Sequence, residues 1–167
     1  VNNCYDAWFE VAFIEAKVLD LKIAGLNPGL SMNFNETWQK IDTFNWNCTE
    51  YCDVIMNFTQ EGVMINDMNM WCGGCVKGSV YNITVSDSFS LTCSGESDHG
   101  PCGGEYNIGL SNTNATANIN CIGTSTTASS GMPSGGTCNG NYVIYPENKV
   151  NKNIVNISCG KGTCING

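Results

Sequence analysis

The 167-residue sequence has no arginine and a single histidine, His99. Nucleic acid is therefore a poor partner, because phosphate binding relies on clustered Arg and Lys. One imidazole also leaves little material for a Ser or Cys nucleophile with its base, and little for a zinc site of mixed His and Cys ligands. Charged residues make up only 13% of the chain, about half the usual ~25%, so solubility needs another source. No apolar run reaches the ~20 residues of a membrane span. The longest candidate, Trp8 to Leu26, is interrupted by Glu10, Glu15, Lys17, Asp20 and Lys22. The opening Val1-Asn2-Asn3-Cys4 lacks the basic start and apolar run of a signal peptide, and Val1 is read as a processed or near-processed N-terminus.

What the chain holds in excess is cysteine. Eleven cysteines in a short chain indicate a disulfide framework and an oxidising, extracellular compartment, secreted or at the cell surface. Only Cys72 and Cys75 have C-x2-C spacing, against the paired clusters a zinc site needs. No metal or other cofactor is expected. Cys48, Cys52, Cys72, Cys75, Cys93, Cys102, Cys121, Cys138, Cys159 and Cys164 are expected in disulfides. The number is odd, and Cys4, beside the terminus and far from the rest, is the thiol expected to be free or joined to another molecule.

Six Asn-x-Ser/Thr sequons begin at Asn35, Asn47, Asn57, Asn82, Asn114 and Asn156. Random placement of the chain's Asn, Ser and Thr would give roughly three to four. With the cysteines they indicate covalent N-glycans added along a eukaryotic secretory route, and such glycans would supply the missing solubility.

The pattern is mainly β. Tyr5, Ala7, Phe9, Val11 and Phe13 alternate, as do Leu19, Leu21 and Ile23. A helix over residues 5–24 has capping support from Asn3, Gly25 and Pro28 but no clean apolar stripe, so extended strand is favoured. Further strands are expected at Ser31–Trp38, Ile41–Trp46, Val54–Thr59, Gly62–Ile65, Ser79–Val85, Phe89–Cys93, Tyr106–Ser111, Ala115–Cys121, Tyr142–Tyr145 and Asn153–Cys159. Short strands broken by Gly, Asn, Ser and Asp predict a disulfide-rich antiparallel β-sandwich or jelly-roll-like domain. Residues 1–26 form an apolar N-terminal arm or first core element, and 27–167 the stapled β domain. Asn139-Gly140 reads as a turn signal just ahead of Asn141-Tyr142-Val143-Ile144-Tyr145. Gly123–Gly140 reads as a surface loop stapled by Cys121 and Cys138. No internal repeat is visible.

Trp71-Cys72-Gly73-Gly74-Cys75 resembles the active-site motif of thioredoxin-like oxidoreductases over five residues. The resemblance implies a helix after the motif that activates the first thiol. Val76-Lys77-Gly78-Ser79 and the β pattern beyond it offer none. His99, in the polar loop Gly95–Cys102, has no identifiable triad partners. Glu96, Asp98 and Glu105 lack the D-x-D-x-D spacing of a calcium loop. No catalytic residue is assigned and an enzyme is not expected.

These observations predict a structural subunit of an extracellular glycoprotein filament, coat or matrix. It would form a homo-oligomer or polymer through its N-terminal segment. The expected contacts are Tyr5, Trp8, Phe9, Val11, Phe13, Leu19, Leu21 and Ile23, added to a neighbour's sheet edge. Residues 1–105 carry a balance of −10 and residues 106–167 one of +2, which suits head-to-tail pairing. The alternative is a monomeric secreted adhesion or lectin-like domain taking a carbohydrate ligand on exposed Trp or Tyr, for which Trp8, Trp38, Trp46 and Trp71 are the material.

Overall fold

A computed structural model describes residues 7–11, 14–23, 27–34, 39–49, 52–58, 63–75, 78–94, 102–122, 138, 140–149 and 152–159. Its strands are β1 (Ala7–Val11), β2 (Ile14–Ile23), β3 (Asn27–Phe34), β4 (Gln39–Cys48), β5 (Cys52–Phe58), β6 (Val63–Cys72), β7 (Val80–Ser94), β8 (Glu105–Leu110), β9 (Thr116–Ile122), β10 (Asn141–Pro146) and β11 (Ile154–Cys159). The first 23 residues are thus strand where they are described, at β1 and β2.

Among the described residues every strand pairing is parallel. The expected antiparallel sandwich or jelly roll is therefore overturned. The chain winds as a β-solenoid, in which each strand stacks on the one a full circuit earlier. One wall is the column β1, β3, β5, the first half of β7, β8 and β10. The other is β2, β4, β6, the second half of β7, β9 and β11. A pair of strands, one from each wall, makes a rung, and β7 supplies both halves of its rung as one continuous strand that passes between the walls near Asp87. Parallel neighbours need a long crossover connection, and here the opposite wall provides it.

The alternation that suggested a sandwich has a different origin. In β7 residues are alternately buried and half-buried on both sides of the exposed Asp87, because one side of each wall faces the core and the other faces water. The inward residues form continuous columns. Met56, Tyr81, Tyr106 and Tyr142 stack in one wall. Phe44, Met68, Phe89, Ala117 and Val155, and beside them Trp46, Met70, Leu91, Ile119 and Ile157, stack in the other. The walls meet across the core, where the rings of Phe44 and Phe58 lie 5.7 Å apart. Fully burying a large apolar side chain such as Phe44, Met68, Phe89 or Leu91 contributes about 1.5–3 kcal/mol, so the stacked core rather than any single rung carries the fold.

Of the turn expected at Asn139-Gly140, Asn139 lies outside the described residues, and β10, which follows it, pairs parallel with β8. Gly140 is closely packed. A Cβ there would meet the Cys102 carbonyl oxygen at 2.6 Å and that of Gly104 at 2.9 Å. The Asn141 N–H donates to the same Gly104 oxygen at 2.7 Å and starts β10 in register.

Candidate assembly surface

The cysteines take a single repeated place. Cys48, Cys72, Cys93, Cys121 and Cys159 stand in register at the end of one wall, on successive rungs. Ile23 holds the same position on the first rung. Each described partner begins the return to the other wall, in the pairs Cys48–Cys52, Cys72–Cys75, Cys93–Cys102 and Cys121–Cys138. The Cys121–Cys138 bridge therefore staples the loop expected between them. Cys159 is disulfide-bonded as well, while Cys4 and Cys164 lie outside the described residues. Four bonded pairs are consistent with an oxidising extracellular environment. Cys72 and Cys75, the residues resembling a redox motif, are a buried corner staple followed by a bridge and strand β7. The sulfurs of Cys93, Cys121 and Cys138 lie within 4.8 Å of one another, but all three are tied in disulfides, and a metal ligand must be a thiolate. Buried Ser79 completes the corner, donating to the Cys52 carbonyl at 3.0 Å and accepting from the Val54 N–H at 3.1 Å.

The outer surfaces carry polar ladders. Asp20, Asn45, Asn69, Ser90, Asn118 and Asn156 are in register up one wall. The Asn45 Nδ2 donates to Asp20 Oδ1 at 2.6 Å, that of Asn69 to Asn45 Oδ1 at 3.0 Å, and that of Asn156 to Asn118 Oδ1 at 2.9 Å. The other wall stacks Asn57, Asn82 and Asn107, with Asn107 Nδ2 donating to Asn82 Oδ1 at 2.9 Å. Asparagine suits this role because one amide both donates and accepts along the axis.

The last rung departs from the ones before it. Its inward positions repeat the core columns, yet Val155 is 46% and Ile157 61% exposed. Their counterparts one rung earlier, Ala117 and Ile119, are 0% and 2% exposed. Ile154 is also exposed, and every residue of β11 is open to solvent. Among the described residues β11 pairs only with β9, and β10 only with β8. One edge of each strand thus has no ladder partner among the described residues. The first rung mirrors this. Leu19, Leu21 and Ile23 are partly buried against the core, and β1 and β2 each pair on one side only among the described residues.

Of the expected contacts, Trp8, Phe9 and Val11 lie on β1, in register with Ser31, Met32 and Phe34. Leu19, Leu21 and Ile23 lie on β2. Tyr5 and Phe13 lie outside the described residues, as do Glu96, Asp98, His99 and Asn35. Trp46 is buried in the core. Sequence reasoning missed the opposite end, Val155 and Ile157, although Ile154-Val155-Asn156-Ile157 is as apolar as any strand of the second half. No helix among the described residues is long and apolar enough to cross a membrane. The chain matches no protein-family description, no curated protein and no solved structure.

Proposed function

We propose that this protein is a structural subunit of an extracellular filament, coat or matrix, and that copies add head to tail through the two ends of the solenoid. The observation that carries the reading is the last rung, where core-column residues are left half open on an edge without a ladder partner. Solenoids that stay single end in capping repeats with a polar face, and β11 is not polar. An incoming first rung would continue the same columns. Leu19 would follow Val155, Leu21 would follow Ile157 and Ile23 would follow Cys159, apolar on apolar in each case, while the strand edges closed their hydrogen bonds. A contact between unlike ends is heterologous and propagates into a fibre unless it closes into a ring.

The charge balance of −10 in residues 1–105 and +2 in residues 106–167 favours unlike ends meeting. Cysteine order gives a further link. Each described disulfide joins cysteines consecutive in sequence, beginning with Cys48 and Cys52; Cys4, which precedes that series and lies outside the described residues, is in this reading the thiol that bridges between copies. The reading gives the protein no catalytic role.

Electron microscopy and fibre diffraction of protein purified without reductant test it. The expected result is fibres one solenoid wide, with a meridional reflection at about 4.7–4.8 Å from strands stacked along the axis. Dispersed single particles at every concentration would refute it.

A further inference from the structure

The six sequons fall in different structural settings. Asn47 is on β4, half-buried, and its Oδ1 is buried without a hydrogen-bond partner. Asn57 and Asn82 are directly paired neighbours in one outer ladder. Asn82 accepts from Asn107 at 2.9 Å, and Asn57 is likewise engaged. Two glycans rooted one strand spacing apart, about 4.8 Å, would compete for one volume and displace the ladder. Asn156 is exposed, but its Nδ2 donates to Asn118 within the other ladder. Asn35 lies outside the described residues.

Asn114 differs from all of these. It sits in the turn between β8 and β9, exposed, with φ at 72°, a left-handed conformation that Asn tolerates better than most residues. The Ala115 N–H donates to the Asn112 carbonyl at 3.3 Å and holds the turn. Beside it is an open groove of about 460 Å³, lined by Ser86, Asp87, Asn112, Thr113, Asn114 and Ala115. The Asn112 Nδ2 donates to Asp87 Oδ1 at 3.2 Å, which fixes two of its polar lining groups relative to each other. The volume lies in the range of small-ligand sites, and hydroxyl, amide and carboxylate are the groups that hydrogen-bond a sugar.

We propose that Asn114 is the principal glycan-bearing asparagine among the described sequons, and that the Ser86–Asp87–Asn112 groove seats the first sugar residue of its own glycan. The inference stands apart from the filament reading, since neither end of the solenoid takes part in it.

The test is secretion from eukaryotic cells followed by glycopeptide mass spectrometry of the folded product. Asn114 should be the most fully occupied of the five described sites, and Asn57 and Asn82 should never be occupied on one molecule. Asn114→Asp, which keeps the turn-tolerant side chain, and Thr116→Ala should each remove the same glycan mass. Under native conditions peptide N-glycosidase should release this glycan several-fold faster from Asp87→Ala than from the wild type, because an emptied groove no longer shields the linkage. A secreted product bare at Asn114, or one carrying glycans at Asn57 and Asn82 together, would overturn the site assignment. Equal release rates from Asp87→Ala and wild type would overturn the seat.

Discussion

Three tyrosines show how stacking acts on single residues. Tyr81, Tyr106 and Tyr142 occupy one inward position on successive rungs, with ring centroids 4.7 and 4.9 Å apart and planes within 15° and 13° of parallel. Burial pushes all three phenols above their ordinary value, and in Tyr106 the neighbouring Tyr81 and Tyr142 add to it. The unfolded phenol ionises near pH 10. Above that pH the unfolded chain has lost protons that the folded one still holds, so stability must fall as pH rises. The contribution is complete below about pH 10 and lost above it. In an alkaline titration, part of the tyrosinate absorbance should therefore be withheld until the β-sheet circular dichroism collapses. Full ionisation with the sheet intact would contradict the burial. Each tyrosine was legible as a strand residue from its alternating neighbours. Their shared column was not, because 25 residues separate Tyr81 from Tyr106 and 36 separate Tyr106 from Tyr142, an interval that the loops stretch at will.

At the scale of strands, what was legible and what was not divide for one physical reason. Each strand has one side on the core and one in water, so period-two alternation marks it in sequence. Ile41–Trp46, Phe89–Cys93 and Tyr106–Ser111 fall on or across strands of the structure. Alternation does not encode the direction of the partner. It is usually the mark of antiparallel sheets, since parallel sheets are commonly covered on both faces, and a solenoid is parallel with one wet face. The repeat was hidden as well. The stacked cysteines 48, 72, 93, 121 and 159 are 24, 21, 28 and 38 residues apart, so no fixed period exists to find. Their bridges close loops of unequal span, with sequence separation 3 for Cys72–Cys75 and 17 for Cys121–Cys138. Chain-entropy reasoning gives about 3 kcal/mol for the longer loop and about 1.6 kcal/mol for the shorter. Replacing Cys121 and Cys138 together by Ala should lower the denaturant midpoint more than replacing Cys72 and Cys75. The reverse order would show that the staples do not act through loop closure.

Among the described residues the molecule is a stack whose interior rungs pair on both sides and whose outermost rungs pair on one. Interior positions such as Phe89, Leu91 and Ile119 are closed by a rung on either side, and Ile157 by only one. The apolar N-terminal stretch pointed to one of the two ends from sequence alone. The other end could be recognised only once β11 was seen to repeat the core columns without burying them. Native mass by light scattering over a concentration series, for the wild type and for Ile157→Asp, tests the head-to-tail account most directly. Ile157→Asp puts a charge where an incoming Leu21 would pack, at a position already 61% exposed in the single subunit, so the fold itself should tolerate it. The account predicts a wild-type mass of many subunits that rises with concentration, and a variant that remains a folded particle of about 18 kDa plus any glycan. A wild type that stays at single-subunit mass throughout, or a variant that assembles as the wild type does, would contradict it.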